Sequence, residues 1–234
     1  MIKIRIEGVD AVRRMLDPKQ ARFAAAVALT RTAKAVDKRL GDELRSRLKS
    51  ATPYTLKSTF STSAKPTALQ AVVGIKDKKP ARGSSPAMIL KEHFTGGMRG
   101  NKPMEKAMYA LGILKNGWRV TVGDGIATDS YGNPKRQAVA EILGSLKSGV
   151  QIYKGRGKRA AMVGYFVIAP GAQSHLYPGI YWRKDRALRC MFRFVSKANY
   201  ARLIHLDQLA GKEIQRTFNA EFAVAFDQAV RTAR

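Results

Sequence analysis

DPKQARFAAAVALTRTAKAVDKRLGDELRSRLKS, residues 17–50, is the longest uninterrupted helical signal in the chain. Asp17 is a good N-cap, because its carboxylate can accept from the free amides of the first turn and sits at the positive end of the helix dipole. Pro18 follows at the first helical position, where a missing N–H costs nothing. Phe23, Val27, Thr30, Ala33, Val36, Leu40, Leu44 and Leu48 then recur three or four apart, which is the period of one helical stripe and not of a strand. Arg31, Lys34, Lys38, Arg45 and Lys49 lie away from that stripe. A helix of about 32 residues would be roughly 48 Å long. Gly41 marks the place where so long a helix is expected to bend or break. The stretch therefore reads as a packing face backed by a basic surface.

Outward from this helix, charge is the abnormal quantity. The 234 residues carry 43 Lys and Arg against 17 Asp and Glu, a net charge of +26. Self-repulsion at that charge opposes compaction, so a large acidic counterpart is expected, either nucleic acid or an acidic protein surface. Hydrophobic residues make up 45%, ordinary for a folded chain with a real core. No run of about 18 or more apolar residues occurs, so neither a membrane-spanning helix nor a membrane partner is expected. MIKIRIEG at the start lacks the long apolar region of a secretory signal, which gives the expectation of synthesis in the cytoplasm. The single Cys190 rules out an internal disulfide framework and is expected to be a half-buried thiol.

The remaining pattern is mixed. Ile2, Ile4 and Ile6 alternate with charged residues as in a short strand ended by Gly8, and Val9, Val12 and Leu16 suggest a helical turn. Ala68 to Ile75 is the next strand. Asp77 to Pro86 and Thr95 to Pro103 read as loops on either side of a short apolar run, Met88 to Leu90. Pro103 opens a short helix to Leu111. Asn133 caps a helix with Pro134 at its first position, continuing through Val139, Ile142, Leu143 and Leu146. Lys147 to Arg159, with five basic residues, three glycines and no acid, reads as a basic loop. Strands are expected over Met162–Ala169, Gly179–Arg183 and Leu188–Val195. In the last of these, Leu188, Cys190, Phe192 and Phe194 share one face. Asp207 caps a terminal helix with its stripe on Ile214, Phe218, Phe222, Phe226 and Val230. The expected class is α+β: an antiparallel sheet packed by a long N-terminal and a long C-terminal helix, with extended loops or an insertion in the middle. One domain covers 1–234, with 77–160 as a loop-rich insertion or projecting arm.

Chemistry is sparse. His93, His175 and His205 lack ligand partners at metal-binding spacing, Ser174–His175 lacks an elbow-like G-x-S-x-G setting, and Gly155–Arg–Gly157–Lys158 lacks the phosphate-loop spacing. No catalytic residue, metal or cofactor is expected. No helix-turn-helix, zinc-finger or RNP pattern concentrates the positive charge.

FAAAVALTRTAKAVDKRLGDELR (23–45), behind a short strand in a chain of this charge and size, resembles the opening of phage minor tail protein Z and related tail-completion proteins. KEHFTGG (91–97), DSYGNPKRQ (129–137), PGIYWR (178–183) and the closing FxxxFxxAF (218–226) resemble motifs of structural proteins from phage morphogenesis clusters. The resemblance implies a non-enzymatic virion protein of the tail or neck, made in the host cytoplasm. It would act in tail completion or head–tail joining as a homo-oligomeric ring or collar, against a tail tube, connector or portal. The alternative is a basic nucleic-acid-binding protein of genome packaging. Candidate contacts to acidic protein or packaged DNA are Lys154, Arg156, Lys158 and Arg159, then Arg183 and Arg186, then Arg31, Lys34 and Lys38.

Overall fold

The computed structural model describes residues 3–7, 18–81, 83–148, 152–154, 161–184 and 186–232. The expected helical turn at Val9–Leu16, the Asp17 cap, and Arg156, Lys158 and Arg159 lie outside them. The chain divides into two compact units, Met1–Gly97 with Ala201–Arg234, and Met98–Tyr200. The sequence reading has one domain with an insertion at 77–160. The structure instead places 98–200 in a second unit, because the strands at 161–168, 179–184 and 187–195 pair with one another and with strands at 119–122 and 152–154.

Unit 1 holds β1 (Lys3–Glu7), α1 (Pro18–Arg47), α2 (Pro53–Leu56), β2 (Thr59–Ser61), β3 (Gln70–Ile75), α3 (Pro86–Thr95) and α6 (Leu206–Arg231). Unit 2 holds α4 (Pro103–Ala110), β5 (Arg119–Val122), α5 (Arg136–Ser148), β6 (Ile152–Lys154), β7 (Ala161–Ile168), β8 (Gly179–Lys184) and β9 (Ala187–Val195). Two-residue strands β4 (Gly97–Met98) and β10 (Asn199–Tyr200) form a small ladder. The strand pairs of the three-stranded and five-stranded sheets run antiparallel, and the class is α+β with long N- and C-terminal helices, as the periodicities predict.

In unit 1 the strand order is β1-β3-β2, with Ile4 opposite Val73 and Phe60 opposite Gly74. Leu29, Val36, Leu40 and Leu44 of α1 are fully buried with Ala71, Val73 and Ile75 of β3 and Leu90 of α3. Each such side chain removed from water contributes about 1.5–3 kcal/mol. Two expectations for α1 are corrected. The helix passes unbroken through Gly41, which is buried between Leu40 and Leu44, so packing on the sheet overrides the weak intrinsic propensity. Its stripe also does not begin at Phe23, which is 51% exposed; before Leu29 the buried residues are alanines, Ala21, Ala24, Ala25, Ala26 and Ala28. Small side chains let two helix backbones approach closely, and α6 answers with Ala225 and Ala229, both buried. Its expected stripe is corrected accordingly: Phe218, Phe222 and Phe226 are only half-buried, stacked ring on ring at 6.2 and 6.0 Å, and Val230 is exposed.

Two loops of the sequence reading contain regular structure. Ser85 accepts from the Met88 amide at 3.3 Å and Pro86 follows, so α3 is a capped helix. β6 and the end of α5 lie inside the expected basic loop 147–159. The turn at 129–133 does not open α5 directly: Asp129 Oδ1 accepts from the Tyr131 and Asn133 amides at 2.9 Å, Lys135 N–H donates to Ala127, and the helix begins at Arg136.

Unit 2 is built on the order β5-β9-β8-β7-β6. Phe192 and Phe194 of β9 are buried with Val120, Ile180 and Met108, and Ile142 of α5 packs into the same cluster. Alternation in β9 fails at one place. Ile180 faces Phe192 but Tyr181 faces Cys190, so Met191 is the extra residue of a bulge, and it is buried instead of solvated. Leu188, expected on the core face, is 42% exposed at the strand's outer end. Cys190 is buried.

Candidate functional site

The helix pair of unit 1 is tight at one end and open at the other. Arg31 of α1 donates to Glu221 of α6 at 3.0 Å, whereas residues 39–47 share a groove with residues 203–216, so the two helices run antiparallel. Arg39, Glu43 and Arg47 are four apart and line one side of the groove from a single stripe of α1. The other side is His205, Gln208, Lys212, Glu213 and Arg216 of the first half of α6 and its cap. Leu203 and Leu209, half-buried against the unit 1 core, supply the apolar floor. The space enclosed is about 550 Å³, the size of a small-ligand or peptide site.

Its charges are unevenly matched. Glu43 accepts from Arg47 Nε at 2.9 Å, and Glu213, 8% exposed, accepts from Arg216 at 2.6 Å. The Arg216 guanidinium is raised above its usual value by that hydrogen bond to Glu213. Arg39 and Lys212 have no carboxylate partner among the described residues. Four Lys and Arg against two Glu leave the groove with an excess of two positive charges, arranged along a trough and not focused at a point. That pattern is electrostatically complementary to spaced negative charges over an apolar stem.

The residues proposed from sequence are brought together only in part. Arg31, Lys34 and Lys38 lie on the exposed side of α1, but Arg31 is engaged by Glu221 and none of the three lines the groove. In unit 2, β7 runs antiparallel to both β6 and β8, with Lys154 opposite Ala161 and Arg183 opposite Gly164. Lys154 and the β8–β9 turn with Arg183 and exposed Arg186 therefore share one end of the five-stranded sheet, while Arg156, Lys158 and Arg159 lie outside the described residues.

A third polar cluster is closed. Glu105 of α4, fully buried, accepts from Arg99 at 2.8 and 2.5 Å and from the Lys102 and Val120 amides, each at 2.7 Å. Burial alone would raise its carboxyl, but the hydrogen bonds from Arg99 and the two amides outweigh it and hold Glu105 below the usual carboxylate range. Every lone-pair direction is taken, so this pair ties the start of α4 to β5 and presents nothing to a ligand.

The histidines do not converge. The His93 carbonyl accepts from the Leu203 and Ile204 amides, and Ser174 Oγ accepts from the Leu176 amide inside its own turn. Among the described residues there is no group of three His, Cys, Asp or Glu placed to hold a metal ion, and no helix long and apolar enough to cross a membrane. The groove was legible in sequence only as two separate stripes. Nothing in either stripe says that the other lies opposite. Against protein-family models, curated proteins and solved structures, the chain has no match.

Proposed function

We propose that this chain is a non-enzymatic structural protein of the bacteriophage virion, acting in the tail or neck in tail completion or head–tail joining as a multimeric collar. The observation that carries this reading is the second half of α6, whose large apolar residues extend beyond its packed side. Ala225 and Ala229 are buried and Phe218, Phe222 and Phe226 half-buried, yet Val224 and Val230 are 58% and 52% exposed. Exposed valines beside a packed alanine and phenylalanine face suit a neighbour in an assembly. The resemblance of the Ala-rich α1 and the FxxxFxxAF stretch to tail-completion proteins supports the same reading, as does a charge of +26 that asks for acidic neighbours. The test is the protein content of purified particles, together with particle morphology after loss of the gene. Presence in particles, with unjoined heads and tails in its absence, is expected; a particle fraction without the protein overturns the reading.

The shared basic end of the five-stranded sheet favours a second reading, a nucleic-acid-binding protein of genome packaging. Affinity for duplex DNA against salt separates the two. A logarithmic slope of about −0.9 per phosphate neutralised, summed over many contacts, belongs to the second reading and a shallow slope to the first.

A further inference from the structure

Residues 217–230 of α6, between Arg216 and Arg231, contain Glu221 and Asp227 and no Lys or Arg; Glu221 is engaged by Arg31, and Asp227 is exposed beside Arg231. The groove at the opposite end of the same helix pair has two cations in excess. We propose that the outer side of this α6 tip docks in the groove of a second copy of the chain, head to tail. The inference rests on the multimeric reading above and names the contact that builds it.

Four observations converge on that occupant. First, shape and polarity match. The tip offers Val224 flanked by exposed Ala220 and Ala223, and the groove offers an apolar floor at Leu203 and Leu209. An apolar helix face laid between two helices is a standard recognition mode. Second, charge matches. Asp227 is held only by Arg231 one turn away, a solvent-exposed pair of little intrinsic worth, so its carboxylate is free to exchange that partner for Arg39 or Lys212. Third, no chain can fill its own groove. Leu209 and Val224 are 15 positions apart on one helix, roughly 22 Å at 1.5 Å per residue, so the contact is between copies. Fourth, the alternatives are electrostatically worse. Tip against tip brings no counter-charge to the cations of either groove, and groove against groove sets the unpaired Arg39 and Lys212 of two copies together. Because tip and groove are different patches, the contact is heterologous, and its repetition closes a ring or extends a filament.

The experiment is mass photometry on the full chain and two variants. Val224→Arg/Asp227→Lys spoils the tip, and Arg39→Glu/Lys212→Glu spoils the groove; all four side chains are exposed, and far-UV circular dichroism checks the helices. Wild type is expected to be multimeric and each variant monomeric. An equimolar mixture should stop at the heterodimer, because one copy retains a groove and the other a tip. Should either double variant lose helix signal, Asp227→Lys alone and Lys212→Glu alone replace it. A monomeric wild type, a folded variant that still assembles alone, or folded variants that do not pair when mixed overturns the contact. If the protein is present in purified particles and the mixture does not pair, the contact fails and the virion reading stands. If the mixture pairs and particles lack the protein, the reverse holds.

Discussion

Two buried glutamates, one in each unit, show how the same residue type can be spent in opposite ways. Glu105 in unit 2 is enclosed by its own hydrogen bonds: a bidentate Arg99, which also donates to the Val120 carbonyl at 3.1 Å, and two backbone amides. Glu213 in unit 1 is nearly as buried, but it accepts from Arg216, whose own side chain is 73% exposed at the lip of a groove. The first pair is sealed and fixes a helix start to a strand. The second stands beside an open trough with unmatched cations. Burial of a charge therefore does not mark a site; what decides is whether its neighbours have bonding capacity left over.

Breaking the sealed pair should give the largest effect. Glu105→Gln leaves the Arg99 guanidinium buried without its counter-charge, a change that costs about 3–5 kcal/mol. Both tryptophans, Trp118 and Trp182, lie in unit 2, so their fluorescence during urea unfolding reads this loss. The pair also sets an acid response. The folded carboxyl is held below the usual range, so its stabilisation is complete above that range and is lost as pH falls through the lowered folded value. The tryptophan transition of the wild type should weaken over that interval, and Glu105→Gln should remove this part of the pH dependence. Next in size is Ala225→Leu at the tight end of the unit 1 helix pair. Ala225 is 2% exposed, and overpacking such a position costs about 1–3 kcal/mol, read as a lower thermal midpoint by circular dichroism.

The sequence made the periodic elements plain and the long-range partners obscure. α1, α4, α6 and strands β7 to β9 announce themselves by spacing, and Pro18, Pro86 and Pro103 all stand at helix starts. Yet α3 was hidden although Ser85–Pro86 is the same pairing of a capping residue with proline that the sequence reading used at residues 17 and 18, because the loop-like composition before it dominates the window. Which face of a helix is buried was legible in the middle of α1 and wrong at its start. There the partner's alanines, not the largest apolar residue, choose the contact, and Phe23 is left outside. The groove depends on residues about 170 positions apart, and the sealed Arg99–Glu105 pair on an amide of β5. Neither is a motif.

Glycine 41 allows a gentler test of the same contrast between tight and open packing. It sits mid-helix, where glycine costs about 0.5–1 kcal/mol relative to alanine. A Cβ there would meet the Arg45 guanidinium at 3.5 Å and Thr59 Oγ1 at 4.0 Å, both ordinary contacts with groups able to yield. Gly41→Ala should therefore raise stability by about 0.5–1 kcal/mol, visible as a higher midpoint of the helix signal. A loss instead would mean that α1 needs the flexibility that the sequence reading assigned to that position.

The smallest stability effect is expected at the other glutamate. Glu213→Gln keeps the shape of the side chain and an oxygen that can accept from Arg216, and water can solvate the guanidinium it releases. The unfolding midpoint should stay within error of wild type, against the large loss for Glu105→Gln measured in the same way. Removing this carboxylate also raises the groove's positive excess from two to three. A groove that receives the acidic α6 tip should then hold it more tightly, so multimers of Glu213→Gln should persist to a lower protein concentration. A stability loss comparable to that of Glu105→Gln would show that Glu213 is as sealed as its counterpart, and the distinction between closed and open charge pairs would fail for this molecule.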